Sequence, residues 1–200
     1  WRNSDDGFVR DVHVSKLIID PNNNNVFYAT TQGATEYTDK VGDGAGVFKS
    51  TDRGNNWTQI NNGLDSLETN ILTVDPNDSE TLYLGTDDDG VYKSTDGGES
   101  WKKLTVSSLS KSFGVGDIIV DPQNSNNIYI GTVDYFRLSE SRGVLGDFGV
   151  YKSTDGGTTW EEFNAGLNHL GVFSLELSEE NRILYAGTRA GGVYWISLDN

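Results

Sequence analysis

One four-residue signature recurs four times along this chain: Tyr28-Ala-Thr-Thr, Tyr83-Leu-Gly-Thr, Tyr129-Ile-Gly-Thr and Tyr185-Ala-Gly-Thr. The intervals are 55, 46 and 56 residues. Periods of that length mark a chain of repeated supersecondary units, none of which can bury its apolar face alone. Asp-Pro precedes three signatures, at Asp20-Pro21, Asp75-Pro76 and Asp121-Pro122, and Ser178-Glu179 takes that place in the fourth. Downstream of each tyrosine come Gly46-Val47-Phe48, Gly90-Val91-Tyr92, Gly149-Val150-Tyr151 and Gly192-Val193-Tyr194. Trp57, Trp101 and Trp160 then open a last segment that ends at Leu64, Leu109 and Leu167. Trp1 to Phe8 has the spacing of Trp57 to Leu64 and of Trp160 to Leu167.

Each unit contains four strand-like pieces. In the second they are Ile71–Val74, Thr81–Gly85, Val91–Ser94 and Trp101–Leu104. They are short, apolar or alternating, and bounded by Gly, Asn, Asp and Pro. Asn-rich stretches such as Pro21-Asn22-Asn23-Asn24-Asn25 read as hairpin turns. No stretch has a helical period. The pattern predicts an all-β chain, a β-propeller of four-stranded antiparallel blades forming a single domain over 1–200. The repeats run approximately over 9–64, 65–109, 110–167 and 168–200, the last completed by 1–8. That completion would close the ring and remove two open sheet edges. The other reading is a ring of more than four blades, made by two copies or by a longer propeller of which this is a piece.

Three segments are superimposable letter by letter: Ser50-Thr51-Asp52-Arg53-Gly54-Asn55-Asn56-Trp57, Ser94-Thr95-Asp96-Gly97-Gly98-Glu99-Ser100-Trp101 and Ser153-Thr154-Asp155-Gly156-Gly157-Thr158-Thr159-Trp160. An Asp in a tight turn accepts bonds from nearby backbone N–H groups and from the adjacent hydroxyl residue. Gly supplies a positive φ, and Trp packs its ring over the hairpin and between blades. The expected role of Ser50, Asp52, Gly54 and Trp57, of Ser94, Asp96, Gly98 and Trp101, and of Ser153, Asp155, Gly157 and Trp160 is therefore structural. The pattern resembles the Asp box, or BNR repeat, of a β-propeller family. The resemblance covers essentially the whole chain, closest in style to xyloglucanase-type glycoside hydrolases and sortilin-like propellers. Sialidases and the photosystem II assembly propeller share the box. The resemblance implies that these turns lie on the rim, away from the active face. Sialidase chemistry, with an arginine triad and a tyrosine nucleophile, has no counterpart, since Arg10, Arg137, Arg142 and Arg189 stand in no matching motif.

Function is expected in the loops. From tyrosine to Gly-Val is 7 residues in the second and fourth units, but 18 in the first and 20 in the third. The insertions are Gln32–Ala45 and Val133–Phe148, and long loops on a repeat scaffold are where binding is added. Tyr37, Tyr135 and Phe136 are candidate stacking platforms for a glycan or protein ligand, with Arg137 as an anchor. His13 and His169 enter inner strands and should share that face. Asp134 and Asp147 are the acid–base candidates if the chain is a hydrolase, which needs two carboxylates about 5–5.5 Å or about 6.5–9.5 Å apart. In the xyloglucanase family two large propellers face one cleft, so no catalytic residue carries over by motif. Asp87, Asp88 and Asp89 form a candidate Ca²⁺ turn without EF-hand spacing; otherwise no cofactor is expected.

Thirty acidic against 15 basic residues give a net charge of −15. That charge excludes a phosphate backbone as partner. No apolar run approaches the ~18 residues of a membrane span. Cysteine and methionine are absent, which fits an extracellular or cell-surface life. The expected function is a non-catalytic extracellular module recognising glycan or protein through its loop face. The alternatives are a xyloglucanase-like hydrolase or a fragment of one, and a structural block of a cell-surface or filament assembly that self-associates through propeller edges.

Overall fold

A computed structural model of the chain describes residues 6–8, 12–33, 44–109, 113–134 and 147–199. These residues contain fifteen strands and no helix. The first sheet holds β1 (Val12–Asp20), β2 (Asn23–Gly33), β3 (Val47–Ser50) and β4 (Thr58–Gln59). The second holds β5 (Thr69–Asp75), β6 (Asp78–Thr86), β7 (Val91–Ser94) and β8 (Lys102–Lys103). The third holds β9 (Gly114–Val120), β10 (Ile128–Val133), β11 (Val150–Ser153) and β12 (Glu161–Glu162). The fourth holds β13 (Val172–Ser178), β14 (Ile183–Thr188) and β15 (Gly192–Ser197). Strand order follows chain order in every sheet, as a repeated up-and-down meander requires.

The chain forms two compact bodies, Trp1–Thr86 with Tyr92–Lys103, and Asp87–Val91 with Leu104–Asn200. In the first, Val47, Leu72, Leu82, Leu84, Tyr92 and Trp101 make one buried cluster edged by Ile60 and Leu64. Trp101 is the tryptophan of one sheet lying against the end of the previous one, and its indole N–H donates to the Ile60 carbonyl at 2.7 Å. In the second body, Val150, Val172, Leu175, Leu184 and Ala186 cluster with Phe163 and Leu167.

The signature tyrosines lie mid-strand in β2, β6, β10 and β14. Tyr28, Tyr83 and Tyr129 are almost wholly buried, and burial raises the pKa of each phenol. A lysine ammonium from the neighbouring strand lies over each ring: Lys49 at 5.6 Å, Lys93 at 5.2 Å and Lys152 at 5.9 Å from the centroids. Tyr185, in the three-stranded fourth sheet, is half-buried.

The expected closing strand over Trp1–Phe8 lies outside the described residues as far as Asp5. Asp6–Phe8 belong to the first body. The Asp6 carbonyl accepts from the Trp57 N–H at 2.8 Å, and Phe8 stacks on Phe48 at 4.3 Å.

Candidate functional site

The three Asp boxes share one geometry. Ser50 Oγ donates to Asp52 Oδ1 at 2.8 Å and accepts the Gly54 N–H at 2.8 Å. Asp52 also accepts the Asn56 backbone N–H at 2.9 Å and its side-chain amide at 2.7 Å. Ser94–Asp96–Ser100 and Ser153–Asp155–Thr159 repeat this arrangement. Side-chain bonds from Asn56, Ser100 and Thr159 are the main reason that all three carboxyls titrate at about 2. Each carboxylate is thus an occupied turn anchor. Gly54, Gly98 and Gly157 have φ values of 83°, 92° and 91°, the left-handed backbone for which glycine is suited.

A second repeated device carries no motif name. Asn61 accepts the Val47 N–H at 2.8 Å and donates to the Ala45 carbonyl at 2.9 Å. Asn164 does the same with Val150 and Phe148, at 2.7 and 3.0 Å. Both stand four residues after the box tryptophan, a recurrence that would have found them. They fix the point where each inserted loop returns to its sheet. The other stems are held by carboxylates. Glu68 accepts the N–H groups of Gly33 and Gly44 at 2.9 and 2.8 Å, and Asp147 accepts the Asp134 N–H at 2.9 Å.

Every innermost strand has a bulge near its entry, at Ser15, Asn70, Gly116 and Phe173. A bulge leaves one residue unpaired and re-aims its side chain. Three copies place a small or polar residue there. The fourth places Phe173, 40% exposed. The Arg189 guanidinium lies 5.2 Å from that ring's centroid, and its NH2 group donates to the Asp134 carbonyl. The Arg189 backbone is fixed by its N–H bond to the Gly171 carbonyl at 2.8 Å. Phe173, Arg189, Asp134 and Asp147 therefore converge on one patch of the second body.

Of the sequence candidates, Asp134 and Asp147 are brought together, with Asp134 buried and Asp147 half-buried. His169 is exposed, with its ring 6.4 Å from that of Tyr194. His13 is exposed on β1, in register with Gln32. Asp87 is buried, and Asp88 and Asp89 are half-buried. Among the described residues no three His, Asp or Glu side chains are grouped to hold a metal ion. Tyr37, Tyr135, Phe136 and Arg137 lie outside the described residues. Phe173 and Arg189 were not singled out, because pairing register, which sequence alone does not display, makes Phe173 the bulged residue.

This is a propeller-type all-β chain with three Asp boxes. The family model described as "Sortilin, neurotensin receptor 3" (Sortilin-Vps10) matches residues 45–193, and the chain belongs to that family. Xyloglucanase Xgh74A of Acetivibrio thermocellus is 36% identical over 96 residues, covering 44% of this chain and 11% of its own length. The chain thus spans about a tenth of the curated relatives it matches. A Niastella koreensis GH74 enzyme superimposes with a TM-score of 0.66 at 28% identity, covering 92% of this chain and 28% of that one. An ancestral GH74 enzyme gives 0.71 at 26%, covering 96% and 23%. PorZ, a surface component of the type-IX secretion system of Porphyromonas gingivalis, shares the fold at 0.64 and 18%, covering 90% and 25%.

Proposed function

We propose that this chain is a non-catalytic, extracellular recognition module that binds a β-glucan of the xyloglucan class through the Phe173–Arg189 patch. The observation that carries the reading is the bulge at Phe173, which turns an aromatic ring outward where the other three inner strands present Ser, Asn or Gly. An exposed ring suits stacking on the apolar face of a sugar. A planar guanidinium and carboxylates beside it suit hydrogen bonds to hydroxyls. Similarity to xyloglucanases supports the ligand class. Asp147 accepts the Asp134 N–H in the loop stem, which favours a scaffolding role for that carboxylate over a catalytic one.

The test is calorimetric titration with xyloglucan oligosaccharides, alongside an assay for reducing-sugar release. Binding without release is expected. Phe173→Ala should weaken binding at least about tenfold while leaving the melting temperature within about 2 °C, as for an exposed position. Sugar release abolished by Asp147→Asn would instead establish a hydrolase, and unchanged binding in Phe173→Ala would remove the patch from the reading.

A further inference from the structure

We propose that the outer side of the fourth sheet is an open seat for the Trp1–Phe8 strand of a second copy of this chain, so that copies join head to tail. In the first body the equivalent seat is filled. Trp101 and the strand it opens cover Val47, Ile60, Leu64, Leu82, Leu84 and Tyr92. The residues at the same repeat positions in the second body are Val150, Phe163, Leu167, Leu184, Ala186 and Tyr194, and these six line a cavity of about 90 Å³.

Glycine geometry identifies what is missing. Gly63 has φ +92°, and a Cβ there would lie 2.2 Å from the Trp101 carbonyl oxygen. Gly7 has φ +100°, and its Cβ would lie 2.0 Å from that of Trp57. Gly166, six residues after its own tryptophan like the other two, has φ +81° and nothing within 4 Å. The Trp101 N–H donates to the Asn62 carbonyl and the Trp57 N–H to that of Asp6. In the second body Ala165 stands at that position.

The occupant is legible in the same register. Asp6, Gly7 and Phe8 meet Trp57 as Asn62, Gly63 and Leu64 meet Trp101, yet the first sheet already has its own four strands. The chain therefore carries the tail of a fourth strand that belongs to another sheet, and a sheet whose fourth-strand seat is open. In the single chain the two matching faces are uncovered. Leu17 and Ile19 on β1 are 57% and 50% exposed, and Val193 and Trp195 on β15 are 71% and 68% exposed. A head-to-tail contact of this kind is heterologous, giving rings when it closes and filaments when it does not.

The experiment is multi-angle light scattering of the full chain from low to high micromolar concentration, on wild type, Trp1→Ala and Gly166→Asn. Asn tolerates the left-handed backbone of residue 166 and places a side chain in the path of the strand. The wild-type mass should rise with concentration from 21.9 kDa to at least twice that. Both variants should stay at the single-chain mass. An excess of the octapeptide of residues 1–8 should dissociate the wild-type assembly, which reads the same seat should Gly166→Asn fail to fold. A single-chain mass for wild type at every concentration, whether the seat stays empty or is taken by residues of its own chain, overturns the proposal. Assembly left unchanged by Trp1→Ala, or by the octapeptide, overturns it equally.

Discussion

The second and fourth sheets are built from the same repeat, and only the second has its tryptophan strand. In the second, Leu82, Leu84, Val91 and Tyr92 are wholly buried. In the fourth, Ala186 remains 6% exposed, Tyr194 is half-buried, and β15 carries the two most exposed large apolar side chains described. The inner strands explain none of this difference, because Leu72 and Leu175 are equally buried, at 2% and 3%. What seals a sheet of this chain is thus its last short strand with the indole. β8 itself is only two residues long. Its contribution lies in positioning Trp101 over the neighbouring sheet, where burial of a large ring supplies most of the stabilisation.

The most direct way to break the comparison is to make the closed sheet resemble the open one. Trp101→Ala should cost about 3–5 kcal/mol, as expected for a buried tryptophan, read as a lowered denaturant midpoint. Trp195→Ala on exposed β15 should change stability by less than about 0.5 kcal/mol in the monomer.

A finer break uses the two Asp-Pro corners. Asp20 accepts the Ser79 hydroxyl at 2.8 Å, whereas the fully buried Asp121 carboxylate receives two bonds from Arg182, at 3.0 and 2.5 Å. Burial pushes the Asp121 pKa up, but the Arg182 bonds, the Gln123 N–H, the Asn127 amide and the Arg182 charge outweigh it, so the carboxyl sits below its ordinary value. Arg182→Ala strands a buried charge and should cost about 3 kcal/mol. Ser79→Ala removes one neutral bond and should cost about 1 kcal/mol.

Finer still is the glycine pair. Gly166→Ala should cost only the left-handed backbone, about 1–2 kcal/mol. Gly63→Ala adds a collision with the Trp101 backbone and should cost about 1–3 kcal/mol more. Equal costs would mean that the two seats are occupied alike.

The smallest effect is common to all three boxes. Their carboxyls titrate at about 2, below the ordinary 3.8. Their stabilisation is therefore complete above pH about 4 and is lost as the pH falls through about 2. A melting temperature that falls steadily between pH 4 and 2, less steeply in Asp52→Asn, is the expected result.

Much of this was legible in the sequence. The tyrosine period located all four sheets, and the Ser-Thr-Asp-x-Gly-x-x-Trp copies located the turns, because both depend on local chemistry repeated in place. The loop stems were legible only in part. Asn61 and Asn164 recur at a fixed distance from tryptophan, but their meaning depends on which carbonyl each one meets. Phe173 was not legible, since a one-residue shift in pairing decides whether it faces the core or solvent. The open seat was hidden for a related reason: Gly63 and Gly166 are the same residue in the same turn, and only the strand passing over one of them tells them apart.

The most direct test of the sealed-sheet account is amide hydrogen exchange across β7 and β15, at a concentration where the mass is that of one chain. Val91–Ser94 should be protected close to the level of global unfolding, while the amides of Val193–Ser197 that face away from β14 should exchange orders of magnitude faster. Equal protection of the two strands in the single chain would contradict it.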